Sequence, residues 1–421
     1  MTTRSGPARA FAWLLIAALA SLGSGCAAFR SYKSEMDKTL DLAAGGDVGG
    51  AIKVLEKNNS AKGKDILYDM ELGELRRLNR EYAGSQTALR AADVKVQAWQ
   101  DAAKLNTRRT GGNVGSYLLN DRVRTYEGED YEKVMITTRM AMNDMALGDW
   151  NTARVDIKRT HERETVIEAL RADEYVKVTE EAKKRGSKQS FKDLNGYPVQ
   201  TIDNPEVNAL KNGYQNALSH YLAGFVYESL GEPSLAAPGY RTAIELRPGQ
   251  PLLEDSLAGL DARVASREEG FCDTLFVIET GAIPGRASQS FNLPIPVGPQ
   301  GQWILISASF PVFPPSAGYS APQVRIDKEL DVRTAHILNL DAMARRTLAD
   351  ELPGIMLRAF VRLASRAGAQ YQIQRTMEQQ RSQGQDTLGA VLGLLALQIG
   401  SAVTERADER GWRTLPAQVT V

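Results

Sequence analysis

The stretch 217-ALSHYLAGFVYESLGEPSLAAPGYRTAIELRPGQ-250 decides the fold. Leu218, Tyr221, Leu222 and Phe225 recur at i, i+3, i+4 and i+7, so they place one apolar face on a helix. Gly231-Glu232-Pro233 breaks that helix, and Pro233 is suited to open the next one. Ala236 and Ala243 lack bulk, which lets the second helix lie close against the first, and Pro248 stops it. Pro238 is expected to shorten or kink that second helix. Such a pair cannot bury its apolar face alone, so stacked neighbours are required.

Gly224, Tyr227, Ala236, Tyr240, Ala243 and Pro248 match the small, aromatic and proline positions of a tetratricopeptide repeat, and the 34-residue length matches too. His220 and Ala223 replace the bulkier residues usual at their positions. Working outward, 40–55 and 134–157 read as helix, Gly-Asp turn, helix; 67–96 repeats the pattern with its turn at Ala83-Gly84-Ser85. With Gly46, Gly148 and Gly231 aligned as turn glycines, Ala51, Ala153 and Ala236 each follow five residues later. Gly84 aligns less well, with Leu89 in the alanine slot. The chain therefore reads as α+β: a TPR-like helical solenoid over 34–268, then an α+β domain over 269–421 with a small β-rich part and further helices.

The length of 421 residues suggests two or three domains, and 51 Lys+Arg against 51 Asp+Glu gives no support for nucleic-acid binding. At 43% hydrophobic and 24% charged, the bulk of the chain is ordinary globular protein, not disorder. Residues 1–25 read as a signal peptide: Arg4 and Arg9, then the apolar run Phe11–Leu22, then Gly23-Ser24-Gly25. Cys26 follows at once, as in a bacterial lipoprotein signal, where the cysteine is acylated and becomes the new N-terminus; an ordinary secretory signal with a chance cysteine is the alternative. Gly23 stands where a leucine is usual. Ala27 is not the aspartate that retains lipoproteins in the inner membrane, which points to the periplasmic face of the outer membrane. Residues 26–33 form the lipidated tether. Cys272 then has no disulfide partner and reads as a buried structural thiol rather than a reactive one.

No stretch carries a strong catalytic or metal signature. Gly111-Gly112-Asn113-Val114-Gly115 has no Lys-Ser/Thr after it and no strong strand before it, so it reads as a loop, not a phosphate cradle. The acids of Tyr126-Glu-Gly-Glu-Asp-Tyr131 precede a helix and read as capping; a calcium loop would need alternating ligands. His161, His220 and His336 make no metal spacing. The charged segment 180–206 reads as an extended surface loop.

Near Gly270 the period becomes alternating, and 273–280, 290–297 and 303–313 read as strands, with 323–326 a short one and 413–421 returning to them. Pro294, Pro296 and Pro311 mark edges or strand ends. Helices at 341–352 and 355–371 are joined through Pro353-Gly354. Arg358, Arg362 and Arg366 stack on the second as a solvated face, or as a basic stripe for anionic lipid or glycan. Leu388–Val403 is the most apolar internal stretch; at 16 residues it is short of the roughly 20 that span a bilayer, so it reads as a core helix, with membrane insertion or oligomer packing the alternative.

Cys26, Tyr126-Glu-Gly-Glu-Asp-Tyr131, Ala146-Leu-Gly-Asp149 with Ala153-Arg154, Leu352-Pro-Gly354 and Trp412-Arg-Thr-Leu-Pro416 together resemble an uncharacterised family of TPR-like bacterial envelope lipoproteins. That resemblance implies a periplasm-facing lipoprotein, in a family sometimes associated with regulators of peptidoglycan synthesis, and supplies no catalytic residues. The expected role is a lipid-anchored scaffold that holds an envelope protein or peptide in the groove of its hairpins, not an enzyme, with no cofactor and no metal. Arg139, Asn143 and Tyr214 are the partner-binding candidates. The alternative is a membrane-active or homo-oligomeric export component using 388–403. An envelope hydrolase is a third reading, resting on Glu127, Glu129 and Asp130.

Overall fold

A computed structural model describes residues 32–59, 63–107, 125–184, 192, 194–267, 273–297, 302–319, 322, 324–326, 330–382 and 406–421. Residues 1–25, read above as a signal peptide, Cys26, the glycine-rich 111–115, Cys272 and the apolar 388–403 lie outside them.

Among the described residues, four helical hairpins are built by one repeated turn. The pairs are α1 (Tyr32–Ala44) with α2 (Val48–Asn58), α3 (Ile66–Leu78) with α4 (Tyr82–Thr107), α5 (Asp130–Ala146) with α6 (Trp150–Lys184), and, beyond the short α7 (Pro205–Asn208), α8 (Ala217–Ser229) with α9 (Pro233–Leu246). At each turn a backbone N–H reaches back five residues to close the first helix: Asp47 to Leu42, Glu81 to Arg76, Asp149 to Asp144 and Glu232 to Tyr227, at 2.8–2.9 Å. That bond is the signature of a helix end with a left-handed residue just before the donor. Gly46, Gly148 and Gly231 occupy that position at φ 86°, 80° and 75°. The second hairpin uses Arg80 at φ 61°, so its turn precedes the expected Ala83–Ser85, and Gly84 lies inside α4. Ser85, not Leu89, then takes the small slot five residues on, its hydroxyl donating to Gly73 O at 2.6 Å. Ala51, Ala153 and Ala236 fill the equivalent slots and are fully buried. The four donors, Asp47, Glu81, Asp149 and Glu232, are all acidic, which suits the positive end of the helix that begins there.

Within the fourth hairpin the helices touch at glycine. A Cβ on Gly239 would lie 2.7 Å from Gly224 N and His220 O, and Tyr240 packs its ring on Gly224. Helix α9 runs unbroken through Pro238.

Two short helices, α10 (Pro251–Ala258) and α11 (Leu260–Ala265), lead into the β-rich part. There β1 (Ile278–Thr280), β7 (Gln418–Thr420) and β6 (His336–Asn339) form an antiparallel sheet with the last strand in the middle. The return of the C-terminal strand matches the sequence reading; β6 was not legible. A hairpin of β2 (Ala287–Val297) and β3 (Gln302–Val312) pairs over its full length, with Phe291, Leu293 and Ile295 buried on alternate positions. Both its strands are edges, which is why Pro294, Pro296 and Pro311 are tolerated. A smaller pair joins β4 (Val324–Ile326) to β5 (Leu330–Val332). Helix α12 runs from Leu340 to Ser382 straight through Pro353, so the expected break there does not occur. Its stripe of Leu348, Leu352, Met356, Ala359 and Leu363 joins a core that extends from Ile66 to Val421, so helical hairpins and β-rich part share one apolar interior.

The described parts of 180–206 are not the expected surface loop: 180–184 continue α6. Leu194, Tyr197 and Ile202 enter the core, and Tyr197 donates to Pro311 O at 2.9 Å.

Candidate interaction site

The chain's own C-terminal part covers the first helices of the hairpins. Two buried carboxylates grip its backbone. Glu71 on α3 accepts from Arg413 N at 2.7 Å, Thr414 N at 3.0 Å and the Tyr32 hydroxyl at 2.5 Å. Glu132 on α5 accepts from Trp412 N at 2.6 Å, Tyr126 Oη at 2.6 Å and Glu129 N at 2.9 Å, the last closing a capping box at the start of α5. The acidic stretch thus caps its helix as its sequence indicates. Glu132, the next residue, also holds the backbone of Trp412, 280 residues away. Burial pushes the Glu71 carboxyl up to about 7, against the pull of its hydrogen-bond donors.

A buried charge quartet fastens β1 to the same helices. Arg139 on α5 lies 3.3 Å from Glu74 on α3 through Nε and also pairs with Glu279 on β1. Arg77 bonds Glu74 at 2.7 Å and pairs with Glu279 as well. Although burial works against it, Arg139 and Arg77 hold the Glu279 carboxyl below its ordinary value.

These contacts relocate the three partner-binding candidates. Arg139 and Asn143 are 0% exposed and Tyr214 8%. Asn143 donates to Ser85 Oγ at 2.9 Å and packs into the seam between the second and third hairpins. Reading them as surface residues for a partner does not match their burial; on α3 and α5, Glu279 and residues 412–414 lie against these helices. The basic stripe is corrected in part. Arg362 is 4% exposed, packed inside while Arg358 and Arg366 are half-buried. Sequence reasoning missed Glu71, Glu74 and Glu132. Their one local signal was an acid inside an apolar helical run, as in Ile66–Leu75.

Among the described residues, one open region lies where α12 crosses α6, with Gly354 near Val178. Two cavities adjoin there. The larger, about 440 Å³, is walled by Ala172, Tyr175, Val178, Tyr214, Ala349 and Pro353. The other, about 290 Å³, is strongly charged and reaches Tyr126, Gly128, Arg286 and Arg358. Asp130, Arg171 and Glu351 stand between them: Arg171 pairs with Asp130 and bonds Glu351 at 2.9 Å. Two of the motif stretches, Tyr126–Tyr131 and Leu352–Gly354, converge on this crossing, and residues just before Trp412–Pro416, from Arg406 to Arg410, line it.

His161 and His220 stack at 4.4 Å, and His220 Nε2 lies 3.0 Å from Glu164 Oε2. Among the described residues no group of three or more His, Cys, Asp or Glu is placed to hold a metal. No helix of the described residues is long and apolar enough to cross a membrane.

No protein-family model matches the chain. No curated protein matches it either. Among solved structures it is similar to a tetratricopeptide repeat protein from Parabacteroides merdae, at 13% identity over 54% of this chain and 97% of that one, with a TM-score of 0.15. The hairpin assignment rests on the four turns, not on that likeness.

Proposed function

We propose that this chain is an interaction scaffold of the bacterial envelope, tethered through lipid on Cys26 at the periplasmic face of the outer membrane, and that it holds a protein or peptide partner without transforming it. One observation carries the scaffold reading: four hairpins with a shared turn, a stacked architecture whose ordinary use is to present surface. The tether rests on the sequence, where Cys26 directly follows a signal-like segment. Because Glu279 and residues 412–414 lie against α3 and α5, the partner surface belongs on the second helices of the hairpins and the α6–α12 crossing, where Tyr175 is 74% exposed. That differs from a groove binder, and it changes the experiment.

The test uses the full chain in cells. A clickable fatty acid should label the wild type, and Cys26→Ala should lose the label and leave the membrane fraction. A photo-crosslinking residue at Tyr175 should give a discrete protein adduct, while one at exposed Leu305 on the β2–β3 hairpin should not. An unlabelled Cys26 would remove the anchor. Equal, diffuse adducts from both positions would remove the scaffold.

A further inference from the structure

In the apolar cavity of about 440 Å³ beside Tyr175, the small residues Ala172, Gly213 and Gly354 leave room between three elements. Helix α6 turns Glu168, Ala172, Tyr175 and Val178 toward it at helical spacing, and α12 brings Asp350 and Gly354 four residues apart. The loop 212–214 closes the third side and is pressed onto α12. Thr347 Oγ1 donates to Gly213 O at 3.2 Å, and a Cβ on Gly213 would lie 2.5 Å from the same hydroxyl oxygen. Tyr214, 8% exposed, clusters with Val134 and Ile167. Its backbone N–H bonds Asn212, but its hydroxyl has no hydrogen-bond partner among the described residues. Burial, and then the carboxylates of Glu168, Asp130, Glu164 and Asp350, push that phenol up to about 12. Three of those four line the cavity, so the hydroxyl stands among its carboxylates.

The charges around this space do not balance. Asp130, Glu168, Glu174, Asp350 and Glu351 line it against one guanidinium, Arg171. Arg171 serves Asp130, Glu174 and Glu351, while Lys133 shares Asp130 and Arg346 bonds Asp350 at 3.1 Å. Lys211, near enough to feel Glu168, bonds Glu245 at 2.8 Å, and Arg358 lines the neighbouring charged cavity. Even with Lys133 and Arg346 counted, acids stay in excess, and Glu168 is in no ion pair among the described residues.

We propose that this cavity binds a small organic amine, with its apolar or aromatic body against Tyr175, Val178 and Pro353 and its ammonium at the end formed by the Glu168 carboxylate and the Tyr214 hydroxyl. A volume of about 440 Å³ lies within the roughly 300–1,000 Å³ of small-ligand sites, and apolar walls with a few convergent polar groups are their usual form. The excess of acid disfavours anionic ligands and favours a cation. A phenol oxygen accepts from an ammonium N–H, so the one buried polar group left unpartnered here gains a partner. The inference goes beyond the scaffold reading, because it needs neither the tether nor a protein partner.

Calorimetric titration of the purified full chain with phenethylamine, neutral phenylethanol, anionic phenylpropionate and the peptide acetyl-Ala-Lys-Ala-amide tests this. The expected result is saturable one-to-one binding of phenethylamine, at least about tenfold tighter than phenylethanol, with none of phenylpropionate. Tyr214→Phe keeps the ring and removes only an unpartnered oxygen, so it should weaken phenethylamine about threefold to tenfold while the melting temperature holds or rises. Glu168→Gln, on the exposed rim, should weaken it about twofold to fivefold and leave phenylethanol unchanged. Absence of saturable phenethylamine binding overturns the proposal. So does equal binding of phenylethanol or phenylpropionate, or binding indifferent to either variant. Tighter binding of the lysine peptide than of phenethylamine would assign the cavity to a partner's side chain, which overturns the small-molecule reading and leaves the scaffold standing.

Discussion

Arg139→Met removes one charge from a quartet that is neutral as it stands: Arg77 and Arg139 against Glu74 and Glu279. Arg139 and Glu74 side chains are both 0% exposed, with Arg77 and Glu279 at 11% and 16%. Methionine nearly fills the space, so packing loss is small. What remains is Glu74 and Glu279 sharing Arg77 in a poorly solvated place, and breaking a buried pair in this way costs about 3–5 kcal/mol. That is a large part of an ordinary domain's stability of about 5–15 kcal/mol. Removing Glu74 as well (Glu74→Gln in the Arg139→Met background) leaves the neutral Arg77–Glu279 pair, and should restore about 1–3 kcal/mol as coupling. Urea denaturation of the full chain reads this as a shift in midpoint at constant slope. Limited proteolysis should show β1 and the C-terminal strand released first, since the quartet fastens the sheet to α3 and α5. If Arg139→Met unfolds within about 0.5 kcal/mol of wild type, as an exposed arginine would, the quartet does not brace the fold. Additive single and double variants would refute the charge argument separately.

Gly239→Ala should destabilise by about 1–3 kcal/mol, because the new methyl meets backbone atoms at 2.7 Å and the two helices must part; Gly49→Ala on α2, with nothing within 4 Å, should instead stabilise by up to about 1 kcal/mol in the same thermal melt. The pH profile of stability should be a plateau bounded on both sides. Burial raises Glu71 to about 7 and Glu129 to about 8, so the folded state holds those protons better than the unfolded chain and stability falls as pH rises through 7 to 8. Burial lowers His161 to about 3 and His336 to about 4, so those rings stay neutral when folded and stability falls as pH drops below the unfolded value of 6.5. Between about 4.5 and 6.5 the two effects oppose each other. Melting temperatures that climb steadily from pH 5 to pH 9 would contradict this.

The helical hairpins were legible because their information is local. A left-handed residue ending one helix, an acid opening the next and a small residue five positions after the turn all act within a dozen residues. Gly46, Gly148 and Gly231 therefore stood out, while Arg80, which takes the same backbone conformation with a side chain in the way, did not. The acidic Tyr126–Tyr131 stretch gave its capping role for the same reason. Strand β6 failed because four residues carry too little period to read. Pro353 and Pro238 failed because the residues before and after each proline pack one face of the helix, Leu352 and Met356 in one case and Ala236 and Tyr240 in the other, and that packing outweighs one lost hydrogen bond.

The hairpins, and the turn positions of three of them, were thus set by the order of residues alone, through bonds that span five positions and side-chain periods that span a few turns. Which polar residues are buried was decided only in three dimensions. Glu71 meets Arg413 across 342 positions and Arg139 meets Glu279 across 140, and no local pattern records such encounters. A charged residue on a helix looks the same in sequence whether water or the chain's own far end lies opposite. Here the far end does, and Arg139 and Asn143 lie inside the molecule.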